Sequence, residues 1–218
     1  MARKRFVPGP SRSAHHGSRR AALRLWAVPT LVIIGLFAGA IGFRTLFGHR
    51  HETQIGGAYS LIDSTNRPVT QARFAGRQTL IYFGYTHCLD VCPLTLATVA
   101  QAYTLLPPDR QRPVPLFITL DPERDRPDDV GLYARRFSPA IVGLTGTASQ
   151  IRAVAQAFHV TSHITTDPSG DDASSAYRID HSSVLYLMDG QNRLQAILPA
   201  DSSPATVARR LLPFLAKR

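Results

Sequence analysis

The sequence predicts an α/β layer fold, a central sheet flanked by helices, behind a single N-terminal transmembrane helix. Residues 79–83 and 114–120 are continuous apolar stretches with the length of buried strands. Apolar residues at helical spacing follow at 93–106 and again at 128–137, so strands and helices alternate. Upstream of this pattern, residues 25–43 carry no charge, which is typical of a membrane span.

The other elements of the domain complete this pattern. Two short stretches on either side of a polar turn, 59–63 and 68–70, predict a first hairpin. Later signals predict a helix at 149–158, a hairpin at 183–188 and 193–198, and a closing helix at 204–215. This order of elements is that of a thioredoxin-like domain with one extra helix inserted. Residues 167–175 are rich in turn formers and predict a mobile surface loop.

Charge is distributed unevenly along the chain. The formal net charge is +10, from 25 Lys and Arg against 15 Asp and Glu. Seven of the basic residues precede residue 25 and no acidic residue precedes Glu52, which leaves 18 basic and 15 acidic residues after residue 43, a net of +3. The basic character therefore belongs to the N-terminal tail, and the chain is not expected to bind nucleic acid.

These signals divide the chain into four segments. We expect a basic, disordered cytoplasmic tail at 1–22, a transmembrane anchor at 23–43, a polar linker at 44–57 and the thioredoxin-like domain at 58–218. Within the anchor, the uncharged stretch at 25–43 is 19 residues long, close to the ~20 that cross a bilayer. Positive charge stays on the cytoplasmic side, so the domain is predicted to face the periplasm or an equivalent extracytoplasmic space from the inner membrane.

Two other interpretations of the N-terminus are kept open. Residues 38–40 have the small-x-small form of a signal-peptidase site, which would allow cleavage near Ala40. Residues 18–20 loosely resemble a twin-arginine export signal. All three interpretations place the domain outside the cytoplasm, where a disulfide can form and persist.

Cys88 and Cys92, the only two cysteines, lie in the loop between the first buried strand and its helix. If the loop already winds into helix, residues four apart share a face and their Cα atoms are about 6 Å apart. That separation permits a disulfide or the chelation of one soft metal ion by two thiolates. Pro93 is a favoured first helical residue, so Cys92 is expected to cap the helix, where the helix dipole stabilises a thiolate.

A structural disulfide is the plainest alternative for two cysteines in an exported domain, but closing so short a loop stabilises little. A structural zinc site is less favoured, because such a closed site normally has four protein ligands and the chain has only two cysteines. Met188 is the only methionine besides Met1, which excludes a Met-rich Cu(I) site. Two thiolates and one imidazole suit copper, and His181, which precedes a late strand, is the candidate imidazole. Its plain alternative is a surface histidine.

Three separated motifs resemble the Sco/SenC family of copper-binding proteins, which assist the assembly of cytochrome c oxidase. They are Gly-Tyr-Thr-x-Cys-x-x-x-Cys-Pro at 84–93, Asp-Pro-Glu-Arg-Asp at 121–125 and Asp-His-Ser at 180–182. Their order and spacing agree with the family, and the similarity covers about residues 55–216. One departure is Leu89, where family loops commonly have proline, and it supplies no donor atom.

The resemblance implies a thioredoxin-like fold that holds one copper ion, as Cu(I) or Cu(II), through Cys88, Cys92 and His181. It implies a membrane-anchored copper metallochaperone, not an enzyme in the turnover sense. Its partner would be the copper-bearing subunit of cytochrome c oxidase or another copper chaperone. Asp121 is expected near the site, as a hydrogen-bond acceptor beside a ligand or as a partner contact.

The alternative function is a thiol-disulfide oxidoreductase that keeps acceptor cysteines reduced, with Cys88 and Cys92 as a redox disulfide. Two departures from thioredoxins favour metal: the spacing is Cys-x-x-x-Cys, and His181 stands where thioredoxins have a cis proline. A peroxide-reducing enzyme is a weaker alternative, because Thr86 lies two residues before Cys88 and not three. His87, which adjoins Cys88, is expected to point away from it.

Overall fold

The structure, a computed structural model, describes residues 55–166 and 177–217, together with Leu36 and Gly39, which are helical. Apart from those two, the residues of the predicted anchor lie outside the described part of the chain. Within the described ranges, no helix has the length and apolarity needed to cross a membrane.

The chain divides into two units, Met1–Glu52 and Thr53–Arg218. The second unit contains the whole predicted domain. The predicted tail at 1–22, most of the predicted linker at 44–57 and the predicted loop at 167–175 lie outside the described residues.

The second unit contains nine described strands and four described α-helices. The strands are β1 Ser60–Asp63, β2 Pro68–Thr70, β3 Thr79–Gly84, β4 Val114–Thr119, β5 Val142–Thr145, β6 Ser162–Thr166, β7 Tyr177–His181, β8 Val184–Met188 and β9 Leu194–Pro199. The helices are α1 Val91–Leu105, α2 Pro127–Phe137, α3 Ala148–Ala157 and α4 Pro204–Leu211, with short 3-10 helices at Gln71–Phe74 and Leu212–Phe214. The predicted α/β fold with a central sheet flanked by helices is confirmed.

Seven strands form one mixed sheet in the order β2-β1-β5-β4-β3-β8-β9. The central strands β3, β4 and β5 are parallel, and β8 pairs antiparallel with β3. Because parallel strands end at the same edge, the loop after β3 and the turn after β4 lie side by side. β6 and β7 form a separate antiparallel pair, which ends at His181.

The core lies on both faces of the sheet because the residues of each central strand alternate between them. In β3, Leu80 and Tyr82 pack on the face covered by α1, α2 and α4, whereas Ile81 and Phe83 pack on the face covered by α3. All six residues of β3 are buried, as are all six of β4. The two strands that carry the functional loops are therefore held on both sides.

Some element boundaries differ from those predicted. Helix α1 begins at Val91, two residues before Pro93, because proline is tolerated anywhere in the first turn, where its missing N–H has no intrahelical partner. Strand β5 is only four residues long and contains Gly143, and every residue of β6 is exposed, so neither has the apolar signal of a buried strand. The closing helix ends at Leu211 and continues as a 3-10 turn.

Phe158, directly after α3, packs on the face of the sheet that α3 covers, and its replacement tests the packing there. Its side chain is fully buried, and its ring centroid lies 5.4 Å from that of Phe83 and 5.5 Å from that of Tyr186. Phe158→Ala should lower the free energy of unfolding by about 3–5 kcal/mol, because it removes a packed ring and leaves a cavity. Denaturant unfolding of the full-length protein measures this loss.

Leu132→Ala is the control for that measurement. Leu132 lies on α2 with 54% of its surface exposed, so its replacement should change the free energy of unfolding by no more than about 0.5 kcal/mol. Equal losses in the two variants would contradict the described packing of Phe158.

Candidate metal centre

The cysteine loop connects the end of β3 at Gly84 to the start of α1 at Val91. It turns back on itself, since the Cys88 N–H donates to the Tyr85 carbonyl oxygen at 3.3 Å. The Cys92 N–H donates to the Cys88 sulfur at 3.4 Å. Both thiols are free, with Cys88 partly exposed and Cys92 fully buried. The loop therefore presents one accessible sulfur and places a second behind it.

The Cys92 sulfur is enclosed by β3. The Tyr82 hydroxyl donates to it at 3.6 Å. A Cβ atom at Gly84 would lie 2.8 Å from this sulfur and 3.0 Å from the Phe117 ring, closer than packed atoms come. The glycine of the loop motif is thus the residue that leaves room for the buried thiol.

His181 approaches the same sulfur from the end of β7. Its Nε2 atom lies 3.8 Å from Cys92 Sγ, and its Nδ1 atom lies 3.1 Å from the Ser182 carbonyl oxygen. A carbonyl oxygen only accepts, so in the neutral ring Nδ1 carries the proton and the Nε2 lone pair faces the sulfur. The rings of Tyr82 and Tyr85 contact the imidazole by their edges, with centroids 6.2 and 6.3 Å away.

The spacing between Cys92 and His181 fits two ligands of one metal ion. At bond lengths of ~2.3 Å to sulfur and ~2.0 Å to imidazole nitrogen, two such ligands lie about 3.5–3.7 Å apart. Among the described residues, no group of three or more His, Cys, Asp or Glu side chains is placed to hold a metal ion. The assignment of Cys88, Cys92 and His181 as ligands stays a prediction.

The pKa values of the two thiols shift in opposite directions, because the Cys92 thiol keeps its proton and donates it in a hydrogen bond to Cys88. The hydrogen bond from the Cys92 thiol, helped by the Cys92 and Asp90 backbone N–H groups, lowers the pKa of Cys88 to about 5. The same hydrogen bond, together with burial, raises the pKa of Cys92. The expectation that Cys92 caps α1 as a stabilised thiolate is wrong, since Asp90 is the capping residue and Cys92 lies buried in the first turn. The stabilised thiolate is the partly exposed Cys88.

Asp121 contacts the first residue of the strand that carries His181. Its buried carboxylate accepts hydrogen bonds from Arg124 Nε and from the Tyr177 hydroxyl, the latter at 2.8 Å. Tyr177 begins the strand that ends at His181, so Asp121 reaches the histidine through its strand. Whether Asp121 influences a bound metal stays a prediction.

His87 turns toward the neighbouring carboxylate of Asp125. Its Nδ1 atom lies 3.2 Å from Thr86 Oγ1 and 3.5 Å from Asp125 Oδ1, and 39% of its side-chain surface is exposed. Asp125 was not among the predicted site residues, although it ends the Asp-Pro-Glu-Arg-Asp motif. Its contacts with Thr86 and His87 of the cysteine loop connect it to the site.

A groove of about 730 Å³ runs past the accessible thiol. One wall is the cysteine loop, with Cys88 and Leu89, and the other is β7, with Tyr177 and His181. Leu89 is 94% exposed, so the residue that departs from the family pattern forms part of the rim and does not enter the core. The groove gives another molecule access to Cys88 and His181.

Alkylation of the reduced, metal-free protein tests the asymmetry of the thiols. Because the thiolate reacts, the rate at Cys88 should rise through about pH 5 and then level off. Cys92 should remain unmodified in the folded protein. Mass spectrometry of iodoacetamide-treated samples over a pH series measures both outcomes.

Cys92→Ala removes the thiol that donates to Cys88, so the midpoint of the Cys88 profile should move to higher pH in this variant. A wild-type rate that keeps rising to about pH 8.5, as for an unperturbed thiol, would contradict the hydrogen bond between the two thiols.

Comparison with known proteins agrees with the three motifs. The sequence profile of the SCO1/SenC family matches residues 48–216. Protein sco1 of Schizosaccharomyces pombe is 36% identical over 166 residues, which cover 76% of this chain and 62% of that protein. The chain thus spans about three fifths of the length of this relative.

Solved structures of similar proteins share the fold. The crystal structure of Arabidopsis thaliana ScoI with copper bound has a TM-score of 0.67 at 33% identity, over 73% of this chain and 96% of that one. Yeast Sco1 with copper bound has a TM-score of 0.64 at 30% identity, over 73% of this chain and 87% of that one. From the extent of the profile match and these identities, the chain belongs to the SCO1/SenC family.

Proposed function

We propose that this protein is a membrane-anchored copper metallochaperone that serves the assembly of the copper site of cytochrome c oxidase. The observation that carries the proposal is the 3.8 Å approach of His181 Nε2 to the free Cys92 sulfur, beside the accessible Cys88. Two relatives at 33% and 30% identity have been solved with copper bound, which supports copper as the cargo. Two thiolates and an imidazole are a donor set that suits this metal.

The asymmetry of the thiols supports a sequence of ligand exchange. Cys88 is already a thiolate near neutral pH, whereas Cys92 must release its proton when copper binds. Copper binding therefore releases protons and weakens as the pH falls. On release, an acceptor thiolate that enters the groove would displace Cys88 first, because Cys92 is buried behind it.

The proposed location rests on the sequence of the first unit. The uncharged residues 25–43 would anchor the chain in the inner membrane, and the basic residues before them would keep the N-terminus cytoplasmic. The copper domain would then face the extracytoplasmic space. Its partner would be the copper-bearing subunit of the oxidase or another copper chaperone.

The same geometry favours a second candidate function, reduction of protein disulfides. The Cys88 thiolate would attack a disulfide sulfur of the acceptor, and the second acceptor sulfur would leave as a thiolate. Cys92 would lose its proton and attack the Cys88 sulfur, which releases the reduced acceptor and leaves a Cys88–Cys92 disulfide. An accessible thiolate with a buried partner, four residues apart, is suited to both steps.

Anaerobic copper titration of the reduced full-length protein tests the leading proposal. The wild type should bind one copper per chain, with a thiolate charge-transfer band in the Cu(II) form. His181→Ala should weaken binding by more than about a hundredfold, beyond the 10–100-fold typical for loss of a group that only supports a ligand. The band should also weaken or shift.

His87→Ala is the matched control, because His87 adjoins Cys88 but is directed toward Asp125. This variant should keep the wild-type stoichiometry and spectrum. An equal loss of affinity in both histidine variants would contradict the assignment of His181. Negligible copper binding in a protein that readily reduces disulfides would replace the metallochaperone with the oxidoreductase.

A further inference from the structure

The turn after β4, residues 121–125, contacts both segments that carry the predicted ligands. At one end, Asp125 holds the cysteine loop, and at the other, Asp121 and Arg124 hold β7. We infer that this turn is a brace that sets the position of the cysteine loop relative to the histidine strand. The inference concerns positioning residues, and its copper readout rests on the proposed function.

Asp125 holds the cysteine loop by accepting two hydrogen bonds from Thr86. Its Oδ2 atom accepts the Thr86 backbone N–H at 2.9 Å, and its Oδ1 atom accepts the Thr86 hydroxyl. The Thr119 hydroxyl, at the end of β4, also donates to Oδ2. The carboxylate is 1% exposed, and hydrogen bonds to a charged, desolvated acceptor are among the strongest in proteins. Thr86 lies two residues before Cys88, so the loop is fixed close to its accessible sulfur.

Arg124 and Asp121 hold the other segment through Tyr177. The Arg124 guanidinium lies 3.6 Å from the centre of the Tyr177 ring, and its NH1 group donates to the Tyr177 carbonyl oxygen at 3.1 Å. The Tyr177 hydroxyl donates to Asp121. Ring, backbone and hydroxyl of one residue are thus all engaged by the turn. Tyr177 lies four residues before His181 on β7, so this contact fixes the strand that presents the imidazole.

The turn itself is rigid enough to connect the two contacts. The Asp125 N–H donates to the Asp121 carbonyl oxygen at 2.9 Å, and the Asp121 N–H donates to Thr119 Oγ1 at 2.9 Å. The Thr145 hydroxyl, on β5, donates to the Asp125 carbonyl oxygen at 3.1 Å. Both aspartates are therefore tied to the central strands.

The test uses reduced full-length protein and two readouts, the rate of Cys88 alkylation without metal and the copper affinity by competition. Asp125→Asn removes the charge and one acceptor oxygen beneath Thr86. It should change the alkylation rate several-fold and weaken copper binding about tenfold or more. Thr86→Val removes one of the two donors from the loop and should change both readouts in the same direction, by less.

Tyr177→Phe tests the other contact, since it removes the hydroxyl bond to Asp121 and keeps the ring under Arg124. It should weaken copper binding about tenfold while the Cys88 alkylation rate stays at the wild-type value. Val69→Ala is the stability control, because it removes buried methyl groups from β2, an edge strand of the sheet, and leaves the hydrogen bonds named for the turn in place. It should leave both readouts at wild-type values.

The brace is overturned if Thr86→Val and Tyr177→Phe match the wild type in both readouts, or if Val69→Ala loses as much as Asp125→Asn. Should Asp125→Asn not fold, Thr86→Val decides the contact with the loop. If the wild type binds no copper, the proposed function fails, and the alkylation rates of Asp125→Asn and Thr86→Val still decide whether the turn positions Cys88.

Discussion

The burial of the Cys92 sulfur against β3 is the constraint on which the rest of the site depends. Gly84 leaves the space for this sulfur, the Tyr82 hydroxyl donates to it, and His181 reaches it from the neighbouring strand pair. A sulfur held by a fully buried strand cannot adjust its position freely. Under the proposed function, the accessible Cys88 would be the thiolate that exchanges between the metal and an acceptor.

The same constraint separates the chemistry of two identical side chains. Burial and hydrogen bonding keep the proton on Cys92, and the negative charge resides on Cys88, where the groove gives access. A chelating pair with two exposed thiolates would be open to oxidation and to competing metals at both sulfurs. Here the Cys88 sulfur is accessible and the Cys92 sulfur is buried, an arrangement that suits both metal transfer and disulfide exchange. The imidazole beside the buried sulfur is the feature that favours metal.

Much of this arrangement could be predicted from the sequence, because the central strands are continuous apolar runs and the three motifs follow one another in a recognisable order. The protonation of the thiols could not, since local spacing suggests a helix cap, whereas the burial of Cys92 arises from its packing on Gly84 and Phe117. The role of Asp125 was also missed. Its carboxylate meets Thr86 only because β3 and β4 run parallel and end at the same edge.

The exposure of β6 explains why the sequence pattern did not predict this strand. Strand β6 has no buried residue and, among the described strands, pairs only with β7, so it lacks the alternation by which strands are detected. That pair nevertheless matters, because β7 delivers His181 to the cysteine loop. Apolar patterns in a sequence predict buried strands and helices well, but they predict exposed strands such as β6 poorly.

We propose that Cys88, Cys92 and His181 together hold copper. X-ray absorption at the copper edge, on the full-length protein loaded with Cu(I), tests it most directly. We expect two sulfur neighbours and one imidazole nitrogen in the wild type, with loss of the imidazole signal alone in His181→Ala. A copper ion with fewer than two sulfur neighbours, or one whose imidazole persists in His181→Ala, would contradict it.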